Sequence, residues 1–334
     1  MKRREFMKSL AASTSALMVG CSAASNPVND RFGEILPQRI LGATGEKITM
    51  LGLGGYHIGW TTEKDSQETI EAALEGGIRF FDSAESYGPH ISEERYGKYL
   101  TPNYRDLVFI MTKTTAKDAK TAQEHLDASL ERLKTDYLDL LQVHSLSNPE
   151  DVDTRIDNGV LDVFQKAKED GKVRYIGFTG HSNPEAHLRM LEKTKDLGIF
   201  DTCQMPVNVL DSNYHSFIKG VIPELQNQKI ALLAMKTLAD GRFFELKMRL
   251  AKIQWESEDP VIPGRLSITD ALNFVWSLPV SVLITGAENA KLIKEKIALA
   301  KNFVEIGEEK RNQLIDAVAD LADGSVEYIK RPLA

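Results

Sequence analysis

Cysteine is scarce in this chain of 334 residues, which contains only Cys21 and Cys203. Cys21 lies in an N-terminal leader, and if it is acylated there, only Cys203 remains as a free thiol and no intrachain disulfide can form. Beyond residue 8 the chain also lacks any block rich in Lys and Arg, and its formal net charge is −7. This charge distribution argues against nucleic-acid binding.

A long hydrophobic run is also missing at the N-terminus. The apolar stretch from residue 10 to residue 20 is too short to span a bilayer and is typical of the apolar region of a signal peptide. It follows a basic start that contains Arg3 and Arg4, and RREFMK at residues 3–8 resembles the twin-arginine export motif. We therefore predict that residues 1–25 are a signal peptide and that the protein is exported.

The end of this leader contains a second signal. LMVGC resembles a bacterial lipoprotein cleavage box, in which Gly20 precedes the acylated Cys21, although Met18 stands where leucine is commonest. Ordinary cleavage after the small residues 22–24 is the alternative. The sequence thus predicts a periplasmic protein, or one anchored to the membrane by a lipid on Cys21.

The composition after the leader is that of a globular protein, with 42% hydrophobic and 27% charged residues over the whole chain. Residues 26–38 contain Pro, Asn and Gly without periodicity, and we interpret them as a linker. Residues 39–55, RILGATGEKITMLGLGG, carry a glycine turn between short apolar runs, which predicts a hairpin. A helical pattern near 308–322 follows the last strand, and the folded domain is predicted to extend over 39–334.

Between these ends, short apolar strands alternate with helical patterns such as those at 66–76, 118–133 and 185–197. Eight strand candidates are present: ITMLGLG, IRFFD, LVFIMTK, YLDLLQVH, VRYIGFTG, FDTCQMP, IALLAMK and VSVLITG. Eight strands alternating with helices are typical of a (β/α)8 TIM barrel. A doubly wound open sheet is the alternative, but no G-x-G-x-x-G opens a helix, and GLGG at 52–55 is too short to be that motif.

Polar residues stand at the C-terminal ends of these strands, where barrel enzymes carry their chemistry. They are Asp82, Lys113, His144, Thr179, Gln204 with Asn208, Lys236 and Thr285. Tyr87 lies in the loop just beyond Asp82. Because the most reactive of these residues follow consecutive strands, we expect them to face one mouth of the barrel together.

Four of these residues suggest one chemistry. A tyrosine hydroxyl has an ordinary pKa of about 10 and is a poor acid at neutral pH. A neighbouring ammonium such as that of Lys113 stabilises the phenolate, and a carboxylate such as Asp82 keeps the ammonium charged and oriented. His144 can hydrogen-bond a substrate oxygen. Tyr87 would then donate a proton to a carbonyl oxygen whose carbon receives a hydride.

Three segments that contain these residues, FFDSAESYG, FIMTKT and LDLLQVHS, resemble the catalytic segments of the aldo-keto reductase family, in the same order. The resemblance extends over about residues 39–297. It implies an NAD(P)-dependent oxidoreductase of the carbonyl/alcohol class (EC 1.1.1.-), with Tyr87 as general acid/base. It further implies that Lys113 and Asp82 tune the tyrosine and that His144 orients the carbonyl.

The same resemblance implies a nicotinamide dinucleotide lying across the barrel mouth. FDTCQMPVN matches the segment whose glutamine, here Gln204, binds the nicotinamide carboxamide. In IGFTGHSN, Thr179 takes the place of the family's serine, while a small shift would offer Ser182 and Asn183 instead. In LLAMKTL, Met235 replaces the usual stacking tyrosine, and Lys236 either reaches the pyrophosphate or is an exposed strand-end lysine.

LITGAENAKLIKEKI matches the family's adenosine-binding segment, with Gly286 at its start and Glu295 at the acidic position that contacts adenine. Leu292 stands where an arginine usually binds a 2′-phosphate, and neighbouring lysines would replace it only as point charges. The family resemblance favours NADP, and NAD is the alternative. Gly55, after the first strand, completes the predicted cofactor site.

Two other functions are compatible with parts of the sequence. A nicotinamide-binding redox sensor or accessory subunit would keep the barrel and its cofactor without turnover. A metal-dependent barrel enzyme would use His144, Asp82 and His181, but no His-x-x-x-His or acidic cluster has suitable ligand spacing, and we predict no metal site. The expected partner is a small carbonyl or sugar substrate, with no nucleic acid and no membrane contact apart from the lipid.

Overall fold

The computed structural model of the chain describes residues 28–239, 247–249, 252–254, 265–322 and 330. The predicted signal peptide, including Arg3, Arg4 and Cys21, lies outside the described residues. No helix in the described ranges is long and apolar enough to cross a membrane.

Eight parallel strands form a closed barrel, which confirms the predicted (β/α)8 fold and excludes the open sheet. Around the barrel each strand pairs with the next in sequence, and the last pairs with the first through Leu283 and Leu51. The barrel strands are β5 (Leu51–Gly54), β6 (Phe80–Asp82), β7 (Phe109–Thr114), β8 (Leu138–Leu146), β9 (Val173–Gly180), β10 (Thr202–Pro206), β11 (Ala231–Met235) and β14 (Val280–Thr285).

Helices connect the strands and cover the outside of the barrel. Several begin at a side chain that accepts a hydrogen bond from the first turn, as Thr62 does from the Asp65 amide and Asp118 from the Thr121 amide. The helices are α1 (Gly55–Trp60), α2 (Glu63–Glu75), α3 (Ile91–Tyr99), α4 (Thr101–Tyr104), α5 (Ala119–Leu133), α6 (Pro149–Asp157), α7 (Val160–Glu169), α8 (Pro184–Thr194), α9 (Phe217–Gly220), α10 (Ile222–Gln228), α11 (Ile268–Trp276), α12 (Ala290–Lys301) and α13 (Glu308–Ala317).

The hairpin predicted within residues 39–55 closes the bottom of the barrel. Its strands are β3 (Gln38–Ile40) and β4 (Lys47–Thr49), which pair antiparallel. Leu41 and Ile48 belong to the apolar cluster that also contains Phe80 and Phe109, whose rings stack at 4.9 Å. Apolar side chains therefore fill the barrel interior from below, and barrel chemistry is expected at the upper end.

The predicted C-terminal helix is present as α13, and a short 3-10 turn at Ala319–Leu321 follows it. After β11 the backbone forms a small antiparallel pair, β12 (Lys247–Arg249) with β13 (Lys252–Gln254).

The linker interpretation is wrong for residues 28–38. Instead of an aperiodic tether, β1 (Asn29–Asp30) and β2 (Gly33–Glu34) form a short hairpin. The Arg79 side chain donates to the Asp30 carboxylate at 2.6 Å and 2.9 Å, and Leu36 is buried in the core. Because these contacts join residues far apart in sequence, local periodicity gives no sign of them.

Candidate active site

The four residues assigned to catalysis converge at the mouth of the barrel. Asp82 ends β6, Lys113 lies near the end of β7, and His144 lies near the end of β8. Parallel pairing aligns these ends, since Asp82 is the register partner of Met111 and Lys113 that of Gln142. Tyr87, in the loop between β6 and α3, reaches back over the same place.

Lys113 is the centre of this group. Its side chain is 1% exposed, and its ammonium donates to the Asp82 carboxylate, to the Ser83 carbonyl at 2.6 Å and to the Tyr87 hydroxyl at 3.2 Å. An ammonium has three donor hydrogens, so these three acceptors satisfy it completely. The arrangement fixes a positive charge against the phenol oxygen and leaves no polar hydrogen of the lysine unpaired.

Burial and charge pairing act in opposite directions on the two ionisable partners. Burial lowers the pKa of Lys113, and the Asp82 carboxylate opposes that shift. Burial likewise raises the pKa of Asp82, and Lys113 opposes it. Each group therefore depends on the other for its charge, as expected for an ion pair removed from water.

His144 is held neutral beside this pair. Burial is the largest cause that lowers its pKa well below 6.5, and the positive charges of Lys113 and its neighbours act in the same direction. Its ring centre lies 5.7 Å from that of Tyr87, and its Nδ1 lies 3.5 Å from the Ser86 hydroxyl. Arg155 donates to the His144 carbonyl at 2.9 Å and fixes the backbone. A neutral imidazole here can exchange hydrogen bonds with a substrate oxygen without adding charge.

The turn that carries Tyr87 requires glycine at position 88. Gly88 has φ +64°, in the left-handed region, and a Cβ there would lie 2.2 Å from the Gly59 carbonyl oxygen. The close contact between this turn and α1 holds the Tyr87 backbone at the mouth. It also explains the glycine that follows the tyrosine.

Two residues that are predicted to bind the cofactor lie side by side on neighbouring strands. Thr179 on β9 and Gln204 on β10 are register partners, and both side chains are 1% exposed. Thr179 Oγ1 and Gln204 Oε1 are buried without a hydrogen-bond partner in the described part of the chain. Asn183, the alternative to Thr179, accepts from the Glu185 and Ala186 amides as the N-cap of α8.

A carboxamide group fits these two oxygens, because it offers two N–H donors and one acceptor. Buried polar atoms are normally paired, and unpaired ones in a cleft indicate a missing partner. The residues present are therefore suited to a nicotinamide ring bound in the mouth.

Met235 and Lys236 follow at the end of β11. Met235 is buried, at 6% exposure, and Lys236 has φ +57°. Asn208 stabilises this unusual backbone by donating to the Lys236 carbonyl at 3.3 Å. The positive charge of Lys236 lowers the pKa of both Asp82 and His144, so Lys236 lies near them at the mouth.

The segment after β14 places the neighbours Glu295 and Lys296 in different surroundings. Glu295 lies on the exposed side of α12, where its carboxylate is 3.9 Å from Lys291. Its neighbour Lys296 instead donates to the Gly286 carbonyl at 2.5 Å, and burial lowers the pKa of Lys296 to about 8. Lys296 therefore contacts Gly286 within the chain, and the contact of Glu295 with adenine stays a prediction.

Sequence reasoning missed a histidine over this segment. The His57 ring packs so closely on Gly286 that a Cβ there would lie 2.0 Å from Nδ1. His57 Nε2 also lies 3.7 Å from the Glu288 carboxylate. Gly55 begins the same helix. A Cβ there would lie 2.2 Å from the Asp82 carbonyl oxygen, so close packing against β6 already requires a glycine at this position.

Among the described residues, no three His, Cys, Asp or Glu side chains gather as they would around a metal ion. His144 and His181 have ring centres 6.4 Å apart, and Asp82 is engaged by Lys113.

The chain is thus a closed (β/α)8 barrel with a buried Lys113–Asp82 pair against Tyr87 at its mouth, as the sequence predicts for a barrel oxidoreductase. The family model described as "Aldo/keto reductase family" matches residues 50–319, and this chain belongs to that family.

Relatives with assigned names include the aldo-keto reductase YhdN of Bacillus subtilis, 33% identical over 59% of this chain and 61% of its own length. The L-galactose dehydrogenase of Arabidopsis thaliana is 30% identical over 80% of this chain and 89% of its own length. Among solved structures, the holo form of the aldo-keto reductase AKR11C1 from Bacillus halodurans has a TM-score of 0.69. Its sequence identity is 20%, and the match covers 84% of this chain and 96% of that one, so this likeness concerns the fold.

Proposed function

We propose that this protein interconverts a carbonyl and an alcohol with a nicotinamide dinucleotide, using Tyr87 as general acid/base. The observation that carries the proposal is the buried Lys113, which joins the Asp82 carboxylate to the Tyr87 hydroxyl. Family membership supports the same reaction class.

In the reducing direction, Tyr87 donates its proton to the carbonyl oxygen of the substrate. The ammonium of Lys113, 3.2 Å from the phenol oxygen, stabilises the phenolate that this step leaves. Asp82 keeps the lysine charged in its buried position, and the neutral His144 orients the substrate oxygen. In the oxidising direction Tyr87 accepts the proton from the alcohol.

The dinucleotide, when bound, supplies or accepts the hydride at the carbonyl carbon. Gln204 and Thr179 would hold its carboxamide, and the thioether of Met235 would pack on the ring. Lys236 and Lys296 would contribute positive charge toward its phosphate groups. We propose NADP as the preferred form, in line with the family resemblance and with a Klebsiella pneumoniae protein of the same fold whose structure contains NADPH.

The test compares wild type with Tyr87→Phe on a panel of aldoses, aldehydes and ketones with NADPH and NADH. Sugars come first, because one relative is named for L-galactose. The Phe variant should bind dinucleotide normally and lose at least about 100-fold in turnover, since only the proton donor is removed. Tyr99→Phe is the matched control, because the hydroxyl it removes bonds Glu63.

A Tyr87→Phe variant with most of the wild-type turnover would overturn the acid/base assignment. A wild-type protein that binds dinucleotide but turns over no carbonyl or alcohol would instead favour the sensor or accessory subunit.

We also propose that the protein acts after export, in the periplasm or on a membrane lipid anchor. The arginine pair and the Cys21 box in the sequence support this location.

A further inference from the structure

A second carboxylate lies beside the catalytic group without a part in the reaction described above. Glu85 stands three residues after Asp82 and two before Tyr87, and it is 4% exposed. Its Oε1 accepts hydrogen bonds from the Thr115 amide at 2.8 Å and from the Thr115 hydroxyl at 2.6 Å. Burying a carboxylate costs free energy, so the bonds from Glu85 to Thr115, the residue just after β7, call for an explanation.

These bonds join the two segments that must meet for catalysis. Thr115 follows Lys113 by two residues, and the Glu85 amide donates to the Lys113 carbonyl at 3.3 Å. On the other side, the His90 amide donates to the Glu85 carbonyl at 3.1 Å, across the turn that contains Tyr87. Glu85 is thus bonded both to the lysine strand and to the tyrosine turn.

We propose that Glu85 is a positioning residue that fixes the Tyr87 hydroxyl against the Lys113 ammonium. The inference rests on the proposed function of Tyr87. Without the bonds to Thr115, the Tyr87 turn would be held to β7 by backbone contacts and by the Lys113 side chain itself. The 3.2 Å contact would then be longer in many molecules, and proton transfer depends steeply on that geometry.

Glu85 also contributes charge. Its nearest ionic contact in the described part of the chain is His125, at 3.6 Å. Burial is the largest influence that lowers the pKa of Lys113, and the negative charges of Asp82, Glu93 and Glu85 oppose it. Tyr87 and His144 are the other titratable groups facing the lysine. Removing one negative charge lowers the pKa of any nearby group, so the basic limb of the reduction profile should move to lower pH.

Three variants separate geometry from charge. Glu85→Gln keeps an oxygen that accepts from the Thr115 amide and removes the charge. Thr115→Val keeps the charge and shape and removes the hydroxyl donor. Glu85→Ala removes both. The matched control is Asp118→Ala, because Asp118 accepts from the Thr121 amide and hydroxyl, both at 2.9 Å, but caps α5 instead.

The measurements are kcat, KM and dinucleotide Kd from pH 6 to 9, together with Tm. We expect Glu85→Ala to lose roughly tenfold in kcat, the equivalent of one hydrogen bond to a charged group, with Kd within about twofold of wild type. Glu85→Gln should show the shifted basic limb, and Thr115→Val a smaller loss of kcat without that shift. Asp118→Ala should change Tm alone.

A purely structural Glu85 would lower Tm and leave kcat and the pH limb of the folded enzyme unchanged, which would overturn the inference. If Glu85→Ala does not fold, the other two variants still decide the question. An unshifted basic limb of the pH profile in Glu85→Gln, together with a wild-type kcat in Thr115→Val, would also overturn the inference. Full turnover in Tyr87→Phe would overturn both this inference and the proposed function. An inactive Tyr87→Phe, combined with wild-type kcat and pH profile in the Glu85 and Thr115 variants, would overturn this inference alone.

Discussion

Thr179 and Gln204 are register partners on adjacent strands, and each presents a buried oxygen that has no hydrogen-bond partner in the described part of the chain. An unpaired buried acceptor costs stability, and a ligand that pairs it recovers that cost. Gln204→Leu should therefore leave the protein without dinucleotide at least as stable as wild type and weaken dinucleotide binding by roughly tenfold. Thermal melts with and without NADP and NAD provide the measurement.

Gln142→Leu is the control for this prediction. Gln142 Oε1 is also buried without a partner, but its amide nitrogen bonds Thr202 inside the barrel. The control should alter Tm and leave the shift caused by dinucleotide unchanged. Equal shifts in Gln204→Leu and wild type would remove Gln204 from the cofactor site.

The Lys113–Asp82 pair gives a second prediction. Lys113→Met should lower turnover by at least about 100-fold across pH 6 to 9, because the phenolate loses its neighbouring cation. Asp82→Asn should lose less, since Asp82 acts through the lysine. Either single change leaves one buried group without its charge partner, so the double variant should unfold at a higher temperature than Lys113→Met. Activity of Lys113→Met equal to wild type would contradict the coupling.

The buried His187 should make the stability of the fold depend on pH in the acidic range. It packs between the rings of Phe178 and Phe217, and burial lowers its pKa to about 4, with a contact to the Asn183 carbonyl opposing the shift. Above about pH 6.5 the histidine is neutral in both states and has no effect. Below that pH, His187 is protonated in the unfolded chain but remains neutral in the folded protein. The free energy of unfolding therefore falls until about pH 4, by about 3 kcal/mol in total.

His187→Gln should flatten this fall, measured as urea unfolding at several pH values. His215→Asn, at an exposed histidine, should keep the wild-type slope. A slope in His187→Gln as steep as that of wild type would assign the acid sensitivity to other groups.

Substitutions in the predicted signal peptide test whether the protein is exported. Replacing Arg3 and Arg4 by Lys should leave the precursor in the cytoplasm, because the twin-arginine route recognises the pair itself. Cys21→Ser should abolish lipid attachment and move the protein from the membrane to the soluble fraction. Fractionation with immunoblotting measures both, and unchanged membrane partition of the Ser variant would show that Cys21 carries no lipid.

Much of the barrel was predictable because its signals are local. Each strand is a short buried apolar run, and Asp82, Lys113 and His144 are polar groups at the ends of such runs. In parallel strands these ends must meet, so order along the chain already implies proximity.

The remainder depends on contacts between distant segments or on exact helical phase. His57 meets Gly286, which is more than 200 residues away, and Asp30 meets Arg79 without any periodic pattern around it. Glu295 and Lys296 are neighbours, but one residue on a helix turns the side chain by about 100°, and this decides which of them contacts Gly286. The sequence resemblance gave no sign that Lys296 would bond the Gly286 carbonyl.

The hairpin of β1 and β2 lies at the end of the barrel opposite to the mouth. Asp30 and Arg31 fasten it to Arg79 and Asp106, at the ends of β6 and β7 opposite to Asp82 and Lys113. Only six residues lie between Cys21 and Val28, and the seven Cα–Cα steps reach at most about 25 Å. With a lipid on Cys21, the bilayer would lie below the closed floor of the barrel, and the mouth would open toward the aqueous side, from which small polar substrates arrive.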